Sequence, residues 1–437
     1  LPDLWDLAMG TWEDCSGPSR FKEEAAQEAW VTGIRDLSPR PVVGVGRFTS
    51  PDVMARMIKS GRLDFIGCAR PSIADPFIPR KIDEGRIEDI RECIGCNICI
   101  TGDMTQGMGR CTQNPTWMEE WRRGWHPEKI AAKGVSETVL VIGSGPAGLE
   151  AALAASQRGY DVALAEAAEA FGGRVARERL LPGLSAWGRV ADYRLFHLKQ
   201  RPNVQIYPGS RLTAAQVMDF GFQHVCVATG STWRADGVAR QHVVAMPMAA
   251  QMPVLTPDDL MAGRLPSGRV VVFDDDHYYM GGVLAELCAQ QGCKVTLVTP
   301  SAFVSDWTAN TLEQTAIHRR LSALGVTIRL NTGVAAIVAE GVETNCAYTD
   351  ARGLLECDAV VLVTSRRSED ALFLDLNARQ AEWADAGIRS VRVIGDAAAP
   401  APIAWATFAG HRYARELDAQ DPGDALPFRR EVTQLED

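Results

Sequence analysis

Four cysteines, Cys93, Cys96, Cys99 and Cys111, fall within nineteen residues. The first three recur every third position, which brings successive sulfurs toward one centre. A thiolate set of this kind suits a soft metal, and an iron–sulfur cube takes four cysteines. Zinc is the competing reading, but zinc ribbons usually pair two CxxC hooks, whereas this is a CxxCxxC run with one remote thiol. A disulfide scaffold does not suit a 437-residue chain that is 46% hydrophobic. The expectation is a [4Fe–4S] cluster on the four cysteines. Such a centre moves single electrons, so a source and an acceptor must flank it.

A chain of this length holds two or three domains, and its 23% charged residues are ordinary for a globular protein. The net charge of −10 argues against nucleic acid or an anionic membrane as partner. The other seven cysteines (15, 68, 226, 288, 293, 346, 357) are scattered. With an oxygen-sensitive cluster, that fits a reducing compartment, the cytoplasm. The sequence reads as having no signal peptide, no apolar run of membrane-spanning length, no solenoid repeat and no low-complexity tract.

The chain opens on Leu1–Leu7, which reads as a strand. A helical stretch is expected from about Arg20 to Leu37, then strand Pro41–Arg47, helix Pro51–Ser60 and strand Leu63–Arg70. This is a β-α-β-α-β pattern of parallel strands, and three strands cannot close a barrel. The later two end in Gly44-Val-Gly46-Arg47 and Gly67-Cys68-Ala69-Arg70. Glycine lets a backbone approach an anion and arginine pairs with it. Consecutive final strands of a (β/α)8 barrel form its usual phosphate site, so Gly46, Arg47, Ala69 and Arg70 are candidates for one. Beyond the cysteines, Trp117, Trp121 and Trp125 recur every fourth residue and read as one helix face packed on the barrel. Residues 130–136 read as a linker.

Strand Thr138–Ile142 runs into Gly143-Ser-Gly145-Pro-Ala147-Gly148 and a helix, and a second strand ends in Glu166. With strand, helix and acid in place, GxGxxG is a dinucleotide fingerprint: the glycines admit a diphosphate at the helix N-terminus and the acid takes ribose hydroxyls. Ala228-Thr-Gly230 and Gly395-Asp396 complete a two-part nucleotide domain. The insert, 256–380, has its own Rossmann-like opening at Arg269–Phe273. There Asp274-Asp275-Asp276 stands where a glycine turn belongs, and the second strand, Lys294–Val298, ends in Thr299. A diphosphate would meet like charge and crowded side chains, so this domain keeps the shape without the chemistry.

These residues together resemble the trimethylamine dehydrogenase family, with its dimethylamine and histamine dehydrogenases and N-methyl amino-acid demethylases, itself related to 2,4-dienoyl-CoA reductase. The matching stretches are Gly17-Pro-Ser-Arg-Phe21, Gly44–Arg47, Gly67–Phe77, Cys93–Cys99, Cys111-Thr-Gln-Asn114, Arg122–Glu128 and Gly395-Asp396, in the same order. The resemblance implies an α/β chain comprising the C-terminal part of a (β/α)8 FMN barrel (1–86), an iron–sulfur segment (87–134), an ADP- or FAD-binding Rossmann-like domain (135–255 and 381–437) and an inserted degenerate NAD(P)-type domain (256–380). It covers only the last three barrel strands, which implies a fragment or a separate chain supplying the rest.

The resemblance also implies electrons passing from an amine to FMN, then through [4Fe–4S] to an electron-transferring flavoprotein or ferredoxin, in a homo-oligomer. On the substrate side it assigns Trp12, a cation–π face for an alkylammonium, and Asp14, although an ungapped match puts Cys15 at the family's aspartate. Asp103 replaces a tryptophan of the trimethylamine enzyme, so the aromatic bowl is incomplete. Two alternatives remain: an NAD(P)H-dependent enoate reductase, against which the triple aspartate speaks, and a non-catalytic electron-relay subunit completing a partner's barrel.

Overall fold

The computed structural model describes residues 2–119, 124–125, 128–349 and 351–419. The chain divides into two compact units. One takes residues 1–107, 174–190 and 231–369, the other 108–173, 191–230 and 370–437.

In the first unit, strands Trp5–Leu7, Val42–Gly44 and Phe65–Ile66 pair in parallel in chain order. Helix Pro51–Lys59 makes the second crossover, with proline in its first turn, where the missing N–H costs nothing. Val31, Val42, Phe48, Met57 and Leu63 form the core beneath. The helix expected over 20–37 is broken: only Glu28–Val31 and a 3-10 turn at Arg35–Leu37 are helical. Ala25 sits at φ 58° with its N–H on the Gly46 carbonyl, and Gly33 at φ 87° ends the next turn. Tertiary contacts override a permissive local pattern here. The third strand also stops early, and Ala69 and Arg70 open helix Ala69–Ala74.

The same unit holds a five-stranded parallel sheet. Its order is Thr327–Arg329, Lys294–Val298, Arg269–Asp274, Ala359–Val363, Val254–Leu255. Val270–Phe273 and Ala359–Val363 are buried throughout, as strands covered on both faces must be. An antiparallel sheet, Thr332–Val338, Gly341–Cys346 and Arg352–Glu356, stands in the connection between Thr327–Arg329 and Ala359–Val363. The antiparallel pair Ser231–Trp233 and Arg366–Ser368 marks where the chain enters and leaves.

The second unit is built on another parallel sheet, in the order Ser390–Val393, His224–Val227, Thr138–Ile142, Asp161–Ala165, Val204–Tyr207. Its first helix, Pro146–Gln157, is buried from Ala147 to Ser156. Alanines let helix Ile403–Arg415 approach closely. A methyl group on Gly410 would lie 2.2 Å from the Ala147 carbonyl oxygen.

The tryptophan helix is a second correction. Residues 115–118 form a turn, pinned by Asn114, whose Oδ1 accepts from the Thr116 N–H at 2.9 Å. Met118 has φ 64°. Trp125 packs edge-on against His411, centroids 5.3 Å apart, on helix Ile403–Arg415. The side chain of Asn114 competes for the backbone of this turn. Trp121, Arg122, Arg123, His126 and Pro127 lie outside the described residues. Among the described residues no helix is long and apolar enough to cross a membrane.

Candidate functional site

Cys93, Cys96 and Cys99 lie in the first unit, on a loop that is mostly irregular backbone. The loop is held from outside. Ser19 accounts for two bonds: its N–H donates to the Gly95 carbonyl at 2.8 Å and its Oγ to the Ile94 carbonyl at 2.6 Å. Gly95 has φ 63°, and a methyl there would meet Ser19 Cβ at 2.8 Å and Arg47 Cδ at 2.9 Å, so glycine is required. The Gly95 N–H points back to Cys93 Sγ at 3.4 Å, a donor suited to a thiolate. Cys111, in the second unit, is buried. Among the described residues no two cysteines are joined by a disulfide. Among the described residues no three His, Cys, Asp or Glu side chains gather as a single metal ion would require. A cube makes a looser demand, since each thiolate binds its own iron.

The two arginines expected at a phosphate reach this same loop. Arg47, itself at φ 55°, donates from Nη2 to the Lys22 carbonyl at 2.9 Å, while its Nε is buried without a hydrogen-bond partner. An orphaned buried donor beside a left-handed backbone at a strand end fits an anion that completes it. Arg70 Nη1 donates to the Gly17 carbonyl at 3.1 Å and to Asn97 Oδ1. Sequence reasoning passed over Asn97. The signal was an asparagine inside a cysteine loop, a residue type enriched at positive φ, and here φ is 56°.

The nucleotide fingerprint has the geometry its glycines imply. Added methyls would lie 2.3 Å from the Ala228 carbonyl oxygen at Gly143 and 1.9 Å from the Gly143 carbonyl oxygen at Gly148, whereas at Gly145 nothing lies within 4 Å. Two glycines are therefore packing necessities, and the middle one borders open space at the start of helix Pro146–Gln157, where a diphosphate fits. Gly230, φ 84°, also faces open space, and Gly395 packs on Ala147. The carboxylate of Glu166 accepts from Ser144 N–H at 2.8 Å and Ser144 Oγ at 2.6 Å, so it also braces the glycine turn. Asp396 Oδ1 accepts from Ala401 N–H at 3.1 Å.

The substrate-side pair is less enclosed. Trp12 and Asp14 sit on the short helix Trp12–Cys15, and Trp12 is 43% exposed. The Lys22 ammonium, 3.3 Å from Asp14 Oδ1, and the N-terminal Thr11 hold the Asp14 carboxyl below its usual range.

In the insert, Asp274 and Asp275 are buried at the end of the strand. A methyl on Gly281 would lie 2.4 Å from Asp274 Cγ, so Gly281 lets the helix pack against the carboxyl at the strand end. Burial, then the neighbouring Asp276, push the Asp274 carboxyl up to about 7. A folded-state value above the ordinary one costs stability as pH rises through that interval, and the cost is absent at acid pH, where both states are protonated. Asp274→Asn keeps the Oδ1 that accepts from His277 N–H. It should therefore leave stability unchanged at about pH 3 and raise it by on the order of 2 kcal/mol at about pH 8, read by urea denaturation at both values. An equal effect at both would mean Asp274 ionises normally.

Residues 1–89 match the NADH:flavin oxidoreductase / NADH oxidase family, residues 141–206 an NAD(P)-binding Rossmann-like domain, and residues 255–354 the OYE-like second alpha/beta domain. Dimethylamine dehydrogenase of Hyphomicrobium sp. (strain x) is 42% identical, across 98% of this chain and 62% of that protein. The structure of histamine dehydrogenase from Rhizobium sp. 4-9 is 72% identical with a TM-score of 0.97, covering 100% of this chain and 64% of that one. Along nearly its whole length the chain is similar to these amine dehydrogenases. The 6-hydroxypseudooxynicotine amine oxidase of Pseudomonas geniculata N1 is also similar, 47% identical with a TM-score of 0.92, over 95% of this chain and 62% of that one. The NADH oxidase of Thermoanaerobacter brockii is 30% identical over 92% of this chain and 59% of that protein. The chain thus spans less than two thirds of the length of these relatives.

Proposed function

We propose that this chain works in an FMN- and [4Fe–4S]-dependent amine dehydrogenase, with ADP or FAD on the second unit. The observation that carries the reading is the meeting of strand-end arginines with the cysteine loop: Arg47 against Gly95, Arg70 on Asn97. In a chain 42% and 72% identical to proteins named for dimethylamine and histamine, that supports a flavin phosphate held beside a redox cluster. FMN would supply hydride acceptance from the carbon beside nitrogen, and the cluster single-electron transfer. Arg47, Arg70, Gly46 and Ala69 would hold the flavin phosphate. Cys93, Cys96, Cys99 and Cys111 would hold the cluster, and Gly143, Gly145, Ala147, Gly148, Glu166, Gly230, Gly395 and Asp396 would surround the nucleotide. Trp12 offers an aromatic face to a small organic cation and Asp14 a carboxylate. The acceptor is a one-electron protein such as an electron-transferring flavoprotein or ferredoxin.

The 30% identity to an NADH oxidase favours a second reading, reduction by NAD(P)H. The run Asp274-Asp275-Asp276 opposes it, because three aspartates stand where the insert's glycine turn would have to admit a diphosphate. The deciding measurement is anaerobic flavin bleaching of the intact enzyme by histamine, dimethylamine and trimethylamine, set against NADH and NADPH. Rapid bleaching by an amine is expected, with trimethylamine poor. Rapid bleaching by a pyridine nucleotide alone would replace this assignment with the second.

A further inference from the structure

Asn97, between two of the loop cysteines, uses its whole side chain. It is 1% exposed and left-handed at φ 56°. Nδ2 donates to the Ser16 carbonyl at 2.7 Å and to the Thr311 carbonyl at 3.0 Å, and Oδ1 accepts from Arg70 Nη1. Two donors and one acceptor are what a primary amide offers. Aspartate would face two carbonyls with a carboxylate, and leucine would satisfy none of the three. The three partners come from the segment beside Asp14, the insert and the second glycine-arginine turn. Arg70's two bonds both leave from Nη1. Among the described residues its Nε and Nη2 donate to nothing, so one edge of the guanidinium stays available to an anion.

We propose that Asn97 is the positioning residue for the flavin phosphate: it fixes Arg70 from the cysteine loop, so that the loop carrying the cluster ligands also sets the flavin's anchor. This rests on the reading that Arg70 meets the FMN phosphate. Holding a flexible arginine in advance removes an ordering cost from binding, and losing one charge-assisted hydrogen bond changes an equilibrium by about tenfold.

The test is FMN dissociation from the intact enzyme, followed by flavin fluorescence, with iron content measured in parallel. Asn97→Leu should raise the FMN dissociation constant about tenfold while iron stays at the wild-type level. Asn97→Asp keeps an oxygen for Arg70 and loses both donors. It should hold FMN within about threefold of wild type while melting lower. Arg70→Lys should weaken FMN, and adding Asn97→Leu to it should weaken FMN no further, since the two act as one unit. Unchanged FMN affinity in Asn97→Leu, additive losses in the double variant, equal losses in the leucine and aspartate variants, or iron lost together with FMN would each overturn the proposal. Unchanged FMN affinity in Arg70→Lys would instead remove the phosphate site on which it rests.

Discussion

Replacing Cys93 with alanine should empty the iron–sulfur centre, taking iron and acid-labile sulfide from about four each per chain to less than about one. The expectation comes from the loop's construction. Ser19 fixes the backbone through Ile94 and Gly95. None of those bonds uses a cysteine sulfur, so the loop keeps its path when the thiol is gone and the cube loses a corner it cannot replace. Cys93 is buried, so no solvent ligand has easy access to the vacated corner. Flavin bleaching by an amine should survive, because hydride transfer needs no cluster, while reoxidation by a one-electron acceptor should slow by orders of magnitude. Wild-type iron in the variant would remove Cys93 from the ligand set. Zinc in place of iron in the parent enzyme would remove the cluster itself.

The parallel sheets were legible because their strands are continuous apolar runs bounded by glycine or acid. Val270–Phe273 and Val139–Ile142 cannot face water on either side, and both are central strands. The glycine fingerprint was legible for a related reason: Gly143 and Gly148 leave no room for a Cβ, and that constraint appears directly as composition. The segment 20–37 was not legible, because its path depends on the Gly46 carbonyl reaching Ala25 from the turn after strand Val42–Gly44. Nor was the turn at 115–118, where a spacing of four among tryptophans imitated a helix while Asn114 set the backbone. Asn97 was hidden for the opposite reason: neighbouring cysteines drew the attention, and its three partners come from positions 16, 70 and 311. Asp14 read as a site carboxylate, but its pairing with Lys22 and Thr11 is a property of chain geometry that spacing does not encode.

The glycines of the nucleotide turn should separate fold from binding. Gly148→Ala puts a methyl 1.9 Å from the Gly143 carbonyl oxygen and 3.3 Å from Ala228 Cβ. Backbone cannot yield as a flexible side chain would, so helix Pro146–Gln157 must lift from the sheet or the turn must open. That helix is buried almost throughout and packs against Ile403–Arg415, so the strain spreads into the core cluster that includes Leu149, Leu153 and Tyr413. The cost should be about 3 kcal/mol or more, visible as a fall in melting temperature together with loss of bound ADP or FAD. Gly145→Ala is the opposite case. Gly145 has φ −67° and ψ 178°, which alanine adopts without strain, and its added methyl meets nothing within 4 Å. Stability should therefore hold within about 0.5 kcal/mol. Yet the space that methyl enters is the space a diphosphate would need for close approach, so bound nucleotide should fall by tenfold or more, judged by release on denaturation and chromatography. The pair isolates the two roles of a glycine in one turn: contact with the protein at 148, contact with the ligand at 145. Full nucleotide occupancy in Gly145→Ala would place the ligand elsewhere on the unit, and recovery of neither ADP nor FAD from the parent enzyme would count against the site altogether.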